Sequence, residues 1–277
     1  MNQNFFKGAI DWYINSSFHV AAAAVALVGV TNYYAKLEYN YSLLIFVFCA
    51  TMSSYNITKY YEYVRTHIHF KKTLQSIIIF TIIGLIASIY YYFTFNYRTQ
   101  ITIFLFAILN SLYVIPFGKS KLNLRNRAGI KIYIVSICWS AITLLLPILE
   151  ANAPLQPYVI FAFIQRFILT LILILIFEII DLGSDDSQLK TLPQVIGTNN
   201  TKAFIYILVV AFFVLDFYKR TQFHYQIIIN LIVIASIIAF TYFADKNKTK
   251  YYTLLWAEGI PLLWFTLMLI IFICKLN

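Results

Sequence analysis

Nine apolar runs follow one another along these 277 residues, and they leave the chain little choice of environment. They cover about 17–34, 41–58, 76–95, 101–117, 130–149, 158–180, 203–217, 225–243 and 253–274. Most approach the ~20 residues that a helix needs to cross a bilayer's hydrocarbon core, and the second, fourth and seventh are shorter. The rest of the chain cannot compensate for so much apolar surface. The sequence is 61% hydrophobic and only 12% charged, too little polar material to wrap a soluble domain of this size. The fold class that follows is all-α: a polytopic, multi-pass integral membrane protein with about nine transmembrane helices in one bundle. Residues 1–277 form a single transmembrane domain, with short cap loops around 59–75, 118–129 and 181–202. Ahead of the first run, Phe5 to Ile14 carries Lys7 and Asp11 on an otherwise apolar stretch, a pattern that suits a helix lying along the interface.

The net charge of +10 invites a nucleic-acid reading, but its distribution points elsewhere. Counting the connections alternately, fifteen of the 21 Lys and Arg fall on the side of the N-terminus and five on the other, with Arg166 inside a run. That bias orients a membrane protein with its N-terminus cytoplasmic and, after nine crossings, its C-terminus outside. No nucleic-acid partner is implied. Cys49, Cys138 and Cys274 are scattered through apolar runs without metal-ligand spacing and read as small buried hydrophobes.

One stretch concentrates the chemistry. Of eleven acidic residues, four lie between Glu178 and Asp186, at the end of the sixth run. Glu178, Asp181 and Asp185 stand at i, i+3 and i+7, so a continuing helix would set all three on one face, while Gly183 and Ser184 favour fraying there. Carboxylates crowded at a membrane edge repel one another unless a cation sits among them. Magnesium suits the role, since it takes hard oxygen ligands and shares its shell with phosphate. A hydrated acidic loop end has the same spacing.

Beyond the acids the chain reads Lys190-Thr191-Leu192-Pro193-Gln194-Val195-Ile196-Gly197. Together with Asp181-Leu-Gly-Ser-Asp185 this resembles the second aspartate-rich motif of the UbiA superfamily of intramembrane prenyltransferases, D-x-x-x-D followed by a basic residue and T-L-P-V-x-x-G. The nine runs and the motif's place after the sixth are similar to that family as well. So is Tyr113-Val-Ile-Pro116 before the basic residues Lys119, Lys121 and Arg125, which resembles the family's Tyr-x-x-Pro segment. The first motif departs from the pattern N-D-x-x-D-x-x-x-D. The equivalent stretch, Ser53 to Glu62, offers two registers. One starts at Asn56 and meets no carboxylate; the other starts at Ser54 and keeps only Glu62.

The resemblance implies an enzyme that transfers a prenyl group from a prenyl diphosphate to a hydrophobic, often aromatic, acceptor with magnesium, in a site open to membrane lipid. By that resemblance Glu178, Asp181, Asp185 and Glu62 are the metal ligands. Asp181, Asp185 and Lys59 carry the catalysis, with Lys59 supplying charge where an ion is lost. Asn56, Lys119, Lys121, Arg125 and Lys190 bind the diphosphate. The stretch Ser53 to Glu62 is expected to face Glu178 to Asp185 across one cavity. A relative that kept the fold and lost catalysis fits the same residues. The intramembrane charges Arg166 and Glu258 also suit a transporter, but the sequence lacks the repeated, Gly/Pro-broken helices of that class. Arg166 precedes Glu178 by about 18 Å of helix, too far for them to pair.

Overall fold

The computed structural model describes residues 2–67, 69–114, 129–186, 189–219 and 225–276. Among them every regular element is helical. The short α1 (Asn2–Asn15) leads into α2 (Phe18–Ala35), α3 (Tyr41–Thr66), α4 (Lys72–Tyr92) and α5 (Tyr97–Val114). Then come α6 (Lys131–Ser140), a π-helical turn (Ala141–Leu145) and α7 (Leu146–Glu150), which together make one crossing. The chain continues through α8 (Tyr158–Asp181), the one-turn α9 (Leu192–Ile196), α10 (Thr198–Phe217) and α11 (Gln226–Tyr242). It ends with a second π turn (Tyr252–Ala257) leading into α12 (Ile260–Leu276). Seven of these segments are long and apolar enough to cross a membrane. The shorter α11 and the more polar α5 bring the bundle close to the nine expected crossings.

Helix α8 is the axis. It is apolar on every side, and its residues from Ile168 to Ile180 pack against α2, α6, α10 and α12. A helix of that kind must be enclosed by others or by lipid. The outer helices show the second case: Ile83 and Ile86 of α4 and Ile207 and Val210 of α10 are each more than half exposed. Apolar faces that extensive match hydrocarbon, not water. Helices approach closely where side chains are absent. A Cβ on Gly29 would run into the Phe265 ring of α12, and one on Gly84 into Ser53 and Met52 of α3, the small-residue contact typical of membrane bundles.

Both π turns sit just before a proline, Pro147 and Pro261. Proline has no N–H, so a helix that runs through it frees the carbonyl four residues back. At Pro147 that carbonyl is Thr143, and Thr31 Oγ1 of α2 donates to it at 2.8 Å.

Two connections differ from the sequence reading. The polar stretch expected as a loop over 59–75 is mostly helix: α3 runs on to Thr66 and α4 begins at Lys72. The amphipathic alternation Tyr-Tyr-Glu-Tyr-Val-Arg carries no breaker, so nothing stops α3 at the membrane edge. Helix α8 ends at Asp181, as Gly183 and Ser184 suggested, so Asp185 is not on its face.

Candidate active site

Between α2, α3, α4, α5 and α6 lies a cavity of about 620 Å³. Its walls run from Phe46, Tyr92 and Phe93 at one end to Tyr55, Thr58 and Tyr113 at the other. Along α3, Phe46 to Thr58 is about 18 Å at 1.5 Å per residue. Most of the lining is aliphatic or aromatic. A polar strip forms near the Thr58 end: Asn110 Nδ2 donates to Ser54 Oγ at 2.7 Å, and Trp139 Nε1 to the Tyr55 hydroxyl at 2.8 Å.

Helix periodicity divides the first-motif stretch. Ser54, Tyr55 and Thr58 line the cavity. Ser53 and Asn56 turn the other way, where Ser53 Oγ donates to the Thr81 carbonyl and Asn56 Nδ2 to Thr81 Oγ1 at 3.0 Å. Asn56, expected to bind diphosphate, is therefore a buried link between α3 and α4. The register that faces the cavity is the one starting at Ser54. It puts Tyr55, Thr58 and Glu62 where carboxylates were sought, and Glu62 is exposed. Beside that end, Lys59 is exposed and turns to Asn15 Oδ1 at 3.2 Å, while the Tyr60 hydroxyl donates to the Asn15 carbonyl. Glu258, half-buried after the second π turn, acts electrostatically on Lys59, Tyr55 and Tyr13. It belongs to this cluster, not to the acids of α8.

The acidic motif gathers at the start of α6. Lys131 Nζ lies 3.3 Å from Glu178 Oε1 and 4.0 Å from Asp185 Oδ2. Glu178 is buried, and its second oxygen accepts the Leu192 backbone N–H at 3.2 Å. That N–H opens the one-turn α9, where the preceding Thr191 N–H donates to Gln194 Oε1 at 3.0 Å across Pro193. The turn after α8 brings Asp185 back, its N–H donating to the Asp181 carbonyl at 2.8 Å, with Ser184 N–H and Oγ adding to the same oxygen. Asp185 Oδ2 is enclosed and has no hydrogen bond among the described residues, and Asp181 is exposed. The cavity and the acids meet through α6: Lys131 holds the acids, while Ile134, Val135, Cys138 and Trp139 form a cavity wall.

No protein-family model matches the sequence, and no curated protein matches it either. Solved structures do. One is a UbiA homolog from Archaeoglobus fulgidus bound to GPP and Mg2+, at TM-score 0.62 and 12% identity, covering 92% of this chain and 96% of that one. Another is a UbiA homolog from the same organism bound to DMAPP and Mg2+, at TM-score 0.59 and 13% identity over 93% and 94% of the two chains. A third, bound to Cd2+, aligns at TM-score 0.62 and 12% identity over 91% and 97%.

This chain has the UbiA fold.

Within that UbiA-like frame the expected residues separate into groups. Glu178 and Asp185 meet at Lys131, with Asp181 on the adjoining turn. Lys59 and Glu62 are exposed beyond the Thr58 end of the cavity, Lys59 turned to Asn15. Lys190 is exposed, with φ of 45°. Lys119, Lys121 and Arg125 lie outside the described residues. Among the described residues, no three Asp, Glu, His or Cys side chains converge on a point that could hold a metal ion. The side chains at the acidic end nevertheless fit one hard cation: among the described residues an enclosed Asp185 oxygen lacks a donor, and none donates to the exposed Asp181 carboxylate. The first motif does not fit a second ion, because a phenol and a hydroxyl stand where carboxylates would be.

Sequence reasoning missed Lys131. It was counted among the basic loop residues that set orientation, yet it opens α6 directly opposite the acids. Its position as the one cation inside the 130–149 apolar run was the available signal. Tyr55 and Trp139 were also missed, since aromatics make up 18% of the chain and only the fold singles out a pair.

Proposed function

We propose that this chain is an intramembrane prenyltransferase of the UbiA superfamily that takes a prenyl diphosphate, with its diphosphate toward the Lys131–Glu178 end and its hydrocarbon in the cavity. The observation that carries this reading is the cavity itself: long, apolar, and joined through α6 to a cluster of three carboxylates and an ammonium. The likeness to structures holding GPP and DMAPP supports the same substrate class. The charge bias of the connections supports an N-terminus in the cytoplasm and a C-terminus outside.

In the proposed reaction the carbon–oxygen bond of the allylic diphosphate breaks, and the electron pair leaves with the diphosphate. The allylic cation then forms a bond to a nucleophilic carbon of the acceptor, which loses a proton to restore its aromaticity. Asp181 and Asp185 would hold one magnesium ion, which supplies charge neutralisation to the leaving diphosphate. Lys131 fixes Asp185 from the other side and, with Glu178, keeps the motif folded against α6. Lys59 contributes a mobile positive charge near the cavity's polar end, a point charge suited to phosphate. The rings of Tyr55, Tyr113 and Trp139 present π faces to the cation and exclude water from it. An aromatic acceptor fits the same walls by stacking.

A second reading, a relative that binds diphosphate without turning it over, is favoured by Tyr55 and Thr58 standing in the carboxylate positions. Incubating the detergent-purified protein with radiolabelled prenyl diphosphates, magnesium and a panel of aromatic acceptors separates the two. Diphosphate release with a labelled lipid product supports the transferase. Saturable binding without release supports the second reading, and neither would reject both.

A further inference from the structure

The opposite end of α8 carries a second charged cluster that the proposed reaction does not use. Arg166 is buried within the bundle, 3% exposed. Its guanidinium donates to the Leu27 carbonyl at 3.0 Å, to Thr143 Oγ1 at 2.8 Å and to Thr31 Oγ1 at 3.3 Å, all of them neutral oxygens. A guanidinium does not shed its proton in a protein, so its charge must be met where it stands. The nearby carboxylate is already committed: Asp216 pairs with the buried Lys219 at 2.9 Å and receives Gln165 Nε2 at 3.5 Å. Lys219 in turn lies 4.5 Å from the centre of the Tyr34 ring and feels the charge of Arg166. Among the described residues, two buried cations thus stand near one carboxylate, and only Lys219 pairs with it. An unmatched charge inside a bilayer is costly, and such groups are normally paired.

A small cavity of about 20 Å³ lies between these groups. Thr31, Tyr34, Gln165, Arg166, Lys219 and Trp264 all contribute to its wall. A space of that size holds one water or an ion of similar radius. Trp264 is 1% exposed, and among the described residues its Nε1 and the Tyr34 hydroxyl each lack a partner of full hydrogen-bond geometry, although the two groups lie close enough to interact weakly with each other. The indole N–H can only donate. Two cations and an unsatisfied N–H therefore border one void that has the volume of a single small ion.

We propose that this cavity binds one small monovalent anion of the halide class, as counter-ion to Arg166 and acceptor for the Trp264 N–H. The ion would tie α2, the π turn before Pro147, α8 and α12 together at the end of the bundle remote from the acidic motif. It is a structural site, independent of the prenyl reaction.

The test uses the full chain in detergent, exchanged into gluconate, which is too large for the cavity, and then titrated with chloride or bromide at constant ionic strength. The unfolding temperature should rise saturably, by about 3 °C or more at full occupancy. Trp264→Phe, which keeps the ring and removes the donor, should weaken the apparent halide affinity about tenfold or more. Arg166→Met, which removes the unmatched charge, should abolish the response. Crystals grown in bromide should show an anomalous peak among Arg166, Lys219 and Trp264. If the unfolding temperature is indifferent to halide, or if Trp264→Phe responds as the parent does, the proposal fails. It fails equally if the bromide data show only water in the cavity.

Discussion

The two ends of α8 solve opposite charge problems. Among the described residues, three carboxylates gather around one ammonium at the Asp181 end, and the cluster is partly open: Asp181 is exposed and Lys131 retains a quarter of its side-chain surface. Among the described residues at the Arg166 end, two cations stand near one carboxylate, and the three side chains are enclosed. An open excess of negative charge can recruit and release a cation or a charged substrate as conditions change. A closed excess of positive charge must be satisfied permanently. On the proposed function, the difference separates a region able to take part in turnover from one that holds the bundle together, although both are charged and lie along the same helix.

The comparison breaks most severely if the buried members of the two clusters are expendable. Removing Glu178 as Glu178→Ala should cost about 3 kcal/mol, the lower end of what breaking a buried pair costs, because Lys131 can still reach water. Denaturant or thermal unfolding in detergent would register it. A cost below half a kilocalorie would mean that the acidic motif is not folded against α6.

Next in size is Asp181→Asn. Being exposed, this side chain should leave stability almost unchanged. Diphosphate release should nevertheless fall a hundredfold or more, about 2.7 kcal/mol in the barrier. Equal losses of stability and turnover would blur the line between open and closed positions drawn here.

A smaller effect is expected inside the cavity. Tyr55→Phe leaves the Trp139 N–H without its acceptor, at a cost of about 1–2 kcal/mol. If the ring's π face matters more than the hydroxyl, turnover should drop far less than in Tyr55→Leu. The steady-state rates of the two variants, compared at matched protein folding, decide the point.

The smallest effect lies outside the membrane. Lys250 and Tyr251 donate to Asp11 Oδ1, both at 2.8 Å. Those hydrogen bonds hold the Asp11 carboxyl below its ordinary value of 3.8. A depressed carboxyl stabilises the fold above its unfolded value, and that contribution disappears as pH falls through the folded one. Docking of α1 should therefore loosen only in acid, below about pH 4, and Asp11→Asn should loosen it at every pH. Proteolysis of the N-terminal segment across pH reads this out.

How far the sequence alone reached differs between the same two clusters. The crossings were legible because apolar runs and bilayer thickness leave little freedom, and α2, α8 and α11 begin and end within a few residues of the runs that announced them. The acids at Glu178, Asp181 and Asp185 were legible because they are neighbours in the chain. What they touch was not, since Lys131 is some fifty residues away and reads as an orientation charge. The Arg166 cluster was invisible for the same reason. Its partners come from α2, the π turn, α10 and α12, and the carbonyl that helps hold α2 is freed only by Pro147. The choice between the two registers of Ser53 to Glu62 also needed the fold, because both are helical and only the packing against Thr81 says which face is inward.

The claim that the acidic end binds a diphosphate through Asp181 is tested most directly by titrating the purified protein with an inert prenyl thiodiphosphate, with and without magnesium, alongside Asp181→Asn. Binding that requires magnesium and disappears in the variant is the expected result. Binding that is absent, or that persists unchanged without magnesium and without Asp181, would contradict the account even with the fold as described.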